Sequence, residues 1–314
     1  YRLEAALIES KAKLSYTQVA AFLDDSTSAD EQLTETIKSV LTDLNLCALA
    51  LNGSRRKNNL VLDDRIEYKA YLNDLGKVDQ IVSMERNIAH KLVEECMVAV
   101  NRSVADFLSQ KEHGLFIQHA GIRSERQGEA RALVKEQLNV ANPEKISTLE
   151  GFVEIQQIIA AGNPEAENNK FELPLQAILA RQLERSKFGT EAKPHVGMGL
   201  AAYTTFTSPI RKYNDLLVHR LVKSYLFERK MDVISDDVLA QLGKAQNNSR
   251  MAAWQADQWL KAEWLHRQFT LEKELNSVSK EGLKREGQIV QVNSGGFTVR
   301  LEGNGIEGQV DVRR

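Results

Sequence analysis

The sequence predicts an α+β fold, a helix-rich body with short strands in a mixed sheet, followed by a small all-β module. Three observations predict it. Long stretches repeat apolar residues at three- and four-residue spacing. Residues 287–302 alternate apolar and polar on both sides of Ser294-Gly295-Gly296, a strand–turn–strand pattern. A chain of 314 residues with 42% hydrophobic and 27% charged content can bury one large core or two.

The elements follow in order. Residues 11–23 read as a short helix and residues 31–51 as a second, with Leu33, Ile37, Val40, Leu41, Leu44 and Leu51 on its apolar stripe. Residues 53–59, Gly-Ser-Arg-Arg-Lys-Asn-Asn, read as a polar loop. Extended stretches in residues 68–82 flank Asn73-Asp74-Leu75-Gly76, a hairpin turn. Residues 87–109 carry a stripe of Ile88, Leu92, Cys96, Val100, Val104 and Phe107, which predicts a long helix. Further helices are predicted at 125–140, 149–161 and 173–188, with a loop at 162–169. A linker at 231–235 precedes a long helix from Asp236 to about Leu275. A third strand of the terminal module fits residues 308–312.

Composition narrows the function classes. A net charge of −2 argues against a protein that coats nucleic acid over its whole surface, and leaves room for a local basic channel. Arg55-Arg56-Lys57 is one such cluster, and Arg211-Lys212 with His219, Arg220 and Lys223 is another. Cys47 and Cys96 form no CxxC pair, so buried thiols are expected rather than a disulfide framework or zinc site. No apolar run approaches the roughly 20 residues that span a bilayer, and a cytoplasmic location without membrane partners is expected.

The chemistry concentrates in residues 203–215, YTTFTSPIRKYND. Pro209 fixes its own φ and moves Ser208 out of the α region, so helix can begin only afterwards. Leu217, Val218, Leu221, Val222 and Tyr225 then repeat at helical spacing, which predicts a helix from Ile210 with Arg211 and Lys212 in its first turn. Free N–H groups and the positive helix end would stabilise an anion there. The ordinary alternative is a helix pair between Arg211 and Asp215, worth about 0.2–0.5 kcal/mol.

This string closely resembles the signature turn of the RNB exoribonuclease family, which includes ribonuclease II and ribonuclease R. The resemblance implies that Arg211 contacts the phosphate at the scissile bond and is catalytic, with Ser208 and Lys212 of the same turn binding RNA. Residues 8–19, IESKAKLSYTQV, and residues 86–95, RNIAHKLVEE, also resemble the family. There Tyr16 and Glu94 are expected to select ribose over deoxyribose, as a phenol and a carboxylate both hydrogen-bond a 2′-OH. Helical projection places Glu94 near the border of the apolar stripe and Glu95 further out. The terminal strands resemble the opening of an OB fold, of whose five strands about three fit. The implied domains are residues 1–278, the C-terminal portion of an RNB catalytic domain, and 279–314, the start of an OB-fold RNA-binding domain.

The sequence departs from the family in its acidic residues. RNB enzymes hold magnesium with aspartates spaced D-x5-D-x-D-D, an oxygen-rich set suited to a hard cation. That spacing is not found here, and Asp24-Asp25 and Asp63-Asp64 read as caps or solvated turns. No metal ligand is therefore expected in this chain, and Mg2+ is expected to be held outside it. Residues 249–259 resemble the family's RMAE-type helix with Ala253 at the glutamate position and Asp257 one turn later. The base-stacking aromatic falls near Leu62. Trp254, Trp259 and Trp264 read as packing residues. The implied function is a hydrolytic 3′-to-5′ exoribonuclease on single-stranded RNA that releases nucleoside 5′-monophosphates. The alternative is a degenerate relative that binds RNA ends without cleaving them. Single-stranded RNA is the expected partner, DNA is not, and a monomer is the favoured state.

Overall fold

The computed structural model describes residues 1–25, 33–60, 66–163, 171, 173–230, 234–276 and 284–312. The first elements are α1 (Tyr16–Asp24), α2 (Glu35–Asn58), β1 (Glu67–Leu72), β2 (Val78–Met84), α3 (Ile88–Ser109) and β3 (Phe116–Gln118). Next come α4 (Gln127–Leu138), α5 (Leu149–Ala161), α6 (Leu175–Gln182), β4 (Lys187–Gly189) and α7 (Tyr213–Leu226). The last are α8 (Asp236–Asn276), β5 (Gly287–Asn293), β6 (Gly296–Leu301) and β7 (Glu307–Asp311).

The chain divides into two units, Tyr1–Leu62 with Asn87–Gly243, and Asp63–Arg86 with Lys244–Arg314. In the first, helix starts follow side-chain caps. Ser15 and Gln18 form a capping box that begins α1 at Tyr16, later than the residue 11 the periodicity suggests. Asn87 and His90 form another that starts α3, and Thr148 accepts from the Gly151 N–H to start α5. One cluster, with Val134, Ile146, Phe152, Ile155 and Leu179, lies beneath α4, α5 and α6. A second joins α3 to α7 through Val104, Leu108, Phe116, Val218 and Leu221.

Several expectations are corrected. The polar stretch 53–59 is not a loop: α2 runs to Asn58. Its last turn carries Arg55, Arg56 and Lys57, cations that suit a helix C-terminus. Gln157 Nε2 donates to the Arg56 and Lys57 carbonyls, which would otherwise lack partners. Val40 and Leu44 are exposed rather than packed. The helix predicted over 173–188 stops at Gln182, and Lys187–Gly189 pairs instead with β3, an antiparallel ladder that periodicity could not reveal. Cys47 is exposed and Cys96 only half-buried, where burial raises the thiol's pKa. The loop expected over 162–169 falls mostly outside the described residues, as do Leu62, Asp63 and Asp64.

In the second unit β1 and β2 form a hairpin and β5–β6–β7 a three-stranded meander, both antiparallel. Val78, Ile81 and Ile306 form its core, with Tyr68, Leu260 and Trp264 against them. Trp264 Nε1 donates to the Asp79 carbonyl at 3.1 Å. Trp254 and Trp259 are exposed on α8, so only Trp264 packs as expected. Among the described residues no helix is long and apolar enough to cross a membrane.

Candidate functional site

The signature turn is held residue by residue. The Tyr203 carbonyl accepts from the Ile117 N–H at 2.8 Å, and Thr204 Oγ1 donates to the Leu115 carbonyl at 2.6 Å, tying the turn to β3. Asn101 of α3 donates from Nδ2 to the Tyr203 hydroxyl at 2.9 Å and accepts the Phe206 N–H on Oδ1 at 2.8 Å. Phe206 stacks flat on His219 with centroids 3.7 Å apart, and His219 Nε2 meets the Phe206 carbonyl at 2.8 Å. Asp215, wholly buried, accepts the Ser208 N–H at 2.9 Å and Asn214 Nδ2 at 2.8 Å.

These contacts move the helix start. Ser208's carbonyl accepts both the Arg211 and Lys212 N–H groups, closing a separate turn, and α7 begins at Tyr213 with Lys212 as its N-cap. Arg211 and Lys212 therefore stand just before the first helical turn rather than within it. Because Asp215 is committed to Ser208 and Asn214, the Arg211–Asp215 helix pair does not form. Among the described residues the Arg211 and Lys212 side chains make no hydrogen bond or ion pair, and Arg211 is exposed. An exposed cation on a fixed backbone beside a positive helix end is an anion-binding arrangement.

The Tyr16 and Glu94 segments meet on α3. Asn87 Nδ2 donates to the Tyr16 carbonyl at 3.4 Å, and the Tyr16 ring stacks on His90 at 4.0 Å. Glu94 lies one turn beyond His90 on the same face. Tyr16 keeps 46% of its surface exposed, so its ring remains open to a ligand.

Two parts of the site went unread in the sequence. The first is the pairing of Arg55, read only as part of a basic cluster: its guanidinium lies 3.7 Å from Glu94 and 3.3 Å from Glu95. Glu95 is the buried member of the pair, 5% exposed, and also accepts from Asn52 Nδ2 at 2.6 Å. This corrects the outward placement of Glu95: a helical wheel centred on apolar residues cannot register a polar partner arriving from α2. The second part is a stacked pair, His119 and His195, centroids 5.2 Å apart, with Tyr203 edge-on to His195 at 5.6 Å. Burial pushes His195 down to about 4, helped by the neighbouring His119, and burial lowers His119 too. His119 Nδ1 accepts the Gly121 and Gly197 N–H groups, so its proton sits on Nε2. Pro194-His195, inside the Gly- and Pro-containing run before the turn, was the available signal.

Tyr203 links these parts. Burial raises its pKa, the Asn101 hydrogen bond opposes that, and the charges of Arg55, Asp215 and Glu94 all reach its hydroxyl. The signature turn and the Arg55–Glu94 pair thus belong to one electrostatic environment.

Residues 1–228 match the RNB domain. The chain belongs to the RNB family. It is 32% identical over 305 residues to exoribonuclease 2 of Serratia proteamaculans, covering 97% of this chain and 44% of that protein. The chain thus spans under half the length of that curated relative. In fold it resembles Mycoplasma genitalium RNase R, solved with ribose-methylated single-stranded RNA, at TM-score 0.73 and 19% identity over 95% of this chain and 45% of that one. It also resembles yeast Ssd1, described as a pseudonuclease, at TM-score 0.59 and 18% identity over 95% of this chain and 35% of that one.

RNB exoribonucleases depend on a divalent metal. Among the described residues no group of three or more His, Cys, Asp or Glu is placed to hold one. Asp25 is the C-cap of α1, its backbone N–H donating to the Ala21 carbonyl.

Proposed function

We propose that this chain carries the RNA-end-holding portion of a hydrolytic exoribonuclease that degrades single-stranded RNA from its 3′ end and releases nucleoside 5′-monophosphates. One observation carries the reading: among the described residues the exposed Arg211 side chain has no partner, and it stands on a backbone anchored from Tyr203 to Ser208. In this reading Arg211 neutralises the phosphate at the scissile bond, and Ser208 and Lys212 line the same turn. Tyr16 and Glu94 hydrogen-bond the 2′-OH, the group by which RNA differs from DNA. Magnesium, held outside the described residues, is the cofactor of the whole protein, which acts in the cytoplasm as a monomer. The RNB portion reaches to residue 278 and an OB-fold RNA-binding domain begins at 279.

The test is Arg211→Ala in the full-length protein, assayed on oligo(A) with magnesium. Turnover is expected to fall about 10²–10³-fold, the scale for removing one preorganised charge-stabilising donor. Unchanged turnover in the folded variant would remove Arg211 from this role.

A second reading, a relative that binds RNA ends without cleaving them, is favoured by Ala253 at the family's glutamate position. Asp257, one turn on, is engaged by Lys261 Nζ at 2.7 Å. Hydrolysis of poly(A) by the purified full-length protein excludes this reading.

A further inference from the structure

A cavity of about 410 Å3 opens in the first unit between the C-terminal end of α2 and α5, lined by Arg56, Lys57, Asn59, Gln156, Gln157 and Gln176 among others. Its volume lies within the roughly 300–1,000 Å3 of small-ligand sites. Arg56 and Lys57 are exposed. Basic residues in a last helical turn ordinarily serve the helix dipole, which accounts for these two. It does not account for Gln156, which is 6% exposed with its Oε1 buried and, among the described residues, without a hydrogen-bond partner. A buried carbonyl oxygen left unpaired costs about 1–3 kcal/mol, so it calls for an N–H or O–H donor.

We propose that this cavity is a nucleotide subsite, in which Gln156 Oε1 accepts from a base amino group while Arg56 and Lys57 face a phosphate of single-stranded RNA. Neighbouring chemistry suits that ligand. The negative end of α2 would repel a phosphate, and Gln157 blunts it by donating to the Arg56 and Lys57 carbonyls at 3.4 and 3.0 Å. Gln176 of α6 offers a further amide to a base edge. The inference rests on RNA being a ligand of this protein, and it concerns binding rather than cleavage.

The test compares wild type with Gln156→Leu and Lys57→Ala in magnesium-free fluorescence anisotropy, using labelled oligo(A) and, by competition, 5′-AMP. Circular dichroism checks the fold. Gln156→Leu is expected to weaken binding about three- to tenfold, and Lys57→Ala to lower the slope of log affinity against log salt by about 0.7, one phosphate contact. Losses with oligo(A) assign the subsite to an RNA segment, and losses confined to 5′-AMP assign it to a free mononucleotide. Unaltered affinity for both probes in folded variants overturns the subsite. Should Gln156→Leu fail to fold, the exposed Lys57→Ala decides alone, and an unchanged salt slope overturns it. Wild type that binds no RNA at all would instead defeat the RNA reading of the whole chain.

Discussion

Asp215 is fully buried, yet its charge is met by one backbone N–H and one side-chain amide rather than by a cation. That choice leaves Arg211 available to a ligand. A carboxylate paired with the exposed Arg211 would have gained little stability. The buried histidines make a pH prediction. His195 is held near 4 against an ordinary 6.5, so the unfolded chain binds its proton more readily and stability must fall as pH drops through that interval. His119 moves in the same direction. Stability is expected to be full above about pH 7 and lower by about 2–3 kcal/mol near pH 4, at 1.36 kcal/mol for each pKa unit. Urea unfolding at several pH values checks it: His195→Phe should flatten the profile, and an equally steep one would clear His195 of responsibility.

The contact between α2 and α3 is where element geometry matters most. Arg55 reaches Glu94 and Glu95 from α2, and Asn52 adds a hydrogen bond to Glu95. Removing Arg55 alone strands the buried Glu95 carboxylate, so Arg55→Ala is expected to destabilise the protein by about 3–5 kcal/mol. Replacing Arg55 and Glu95 together with Met and Leu should be far milder. Denaturation midpoints of both variants separate the cases, and equal losses would refute the coupling. The same contact explains what the sequence could not disclose. α3 and α5 were legible because Asn87 and Thr148 cap them beside clear apolar stripes. The end of α2 was not: Gly53-Ser-Arg-Arg-Lys has the composition of a loop, and its partners lie on α3 and α5. In the signature turn the motif was legible, but the helix start was displaced by Asp215 reaching back to Ser208, a contact that periodicity does not encode.

Over the whole molecule, helix content and the terminal strands were readable from local pattern, whereas the division into units was not. The β1–β2 hairpin takes its cover from Leu260 and Trp264 of α8 and from Ile306. Val78 and Ile81, 1% and 7% exposed, belong to a cluster that also takes apolar cover from Leu265 of α8 and Leu301 of β6. A chain ending at residue 243 should therefore expose the hairpin's apolar face and associate. Size-exclusion chromatography with a hydrophobic dye measures this, and a dye-silent monomer would contradict it.

The hydrogen bonds that fasten the hairpin to α8, Trp264 to Asp79 and Arg267 to Val78, join residues 185 and 189 positions apart. Contacts of such separation require a long loop to close before they return any stability. The second unit must therefore be the late step of folding, completed only after most of the first unit's sequence has been synthesised. Until then the apolar residues of β1 and β2 on a growing chain lack the cover that α8 and Ile306 give them in the folded protein.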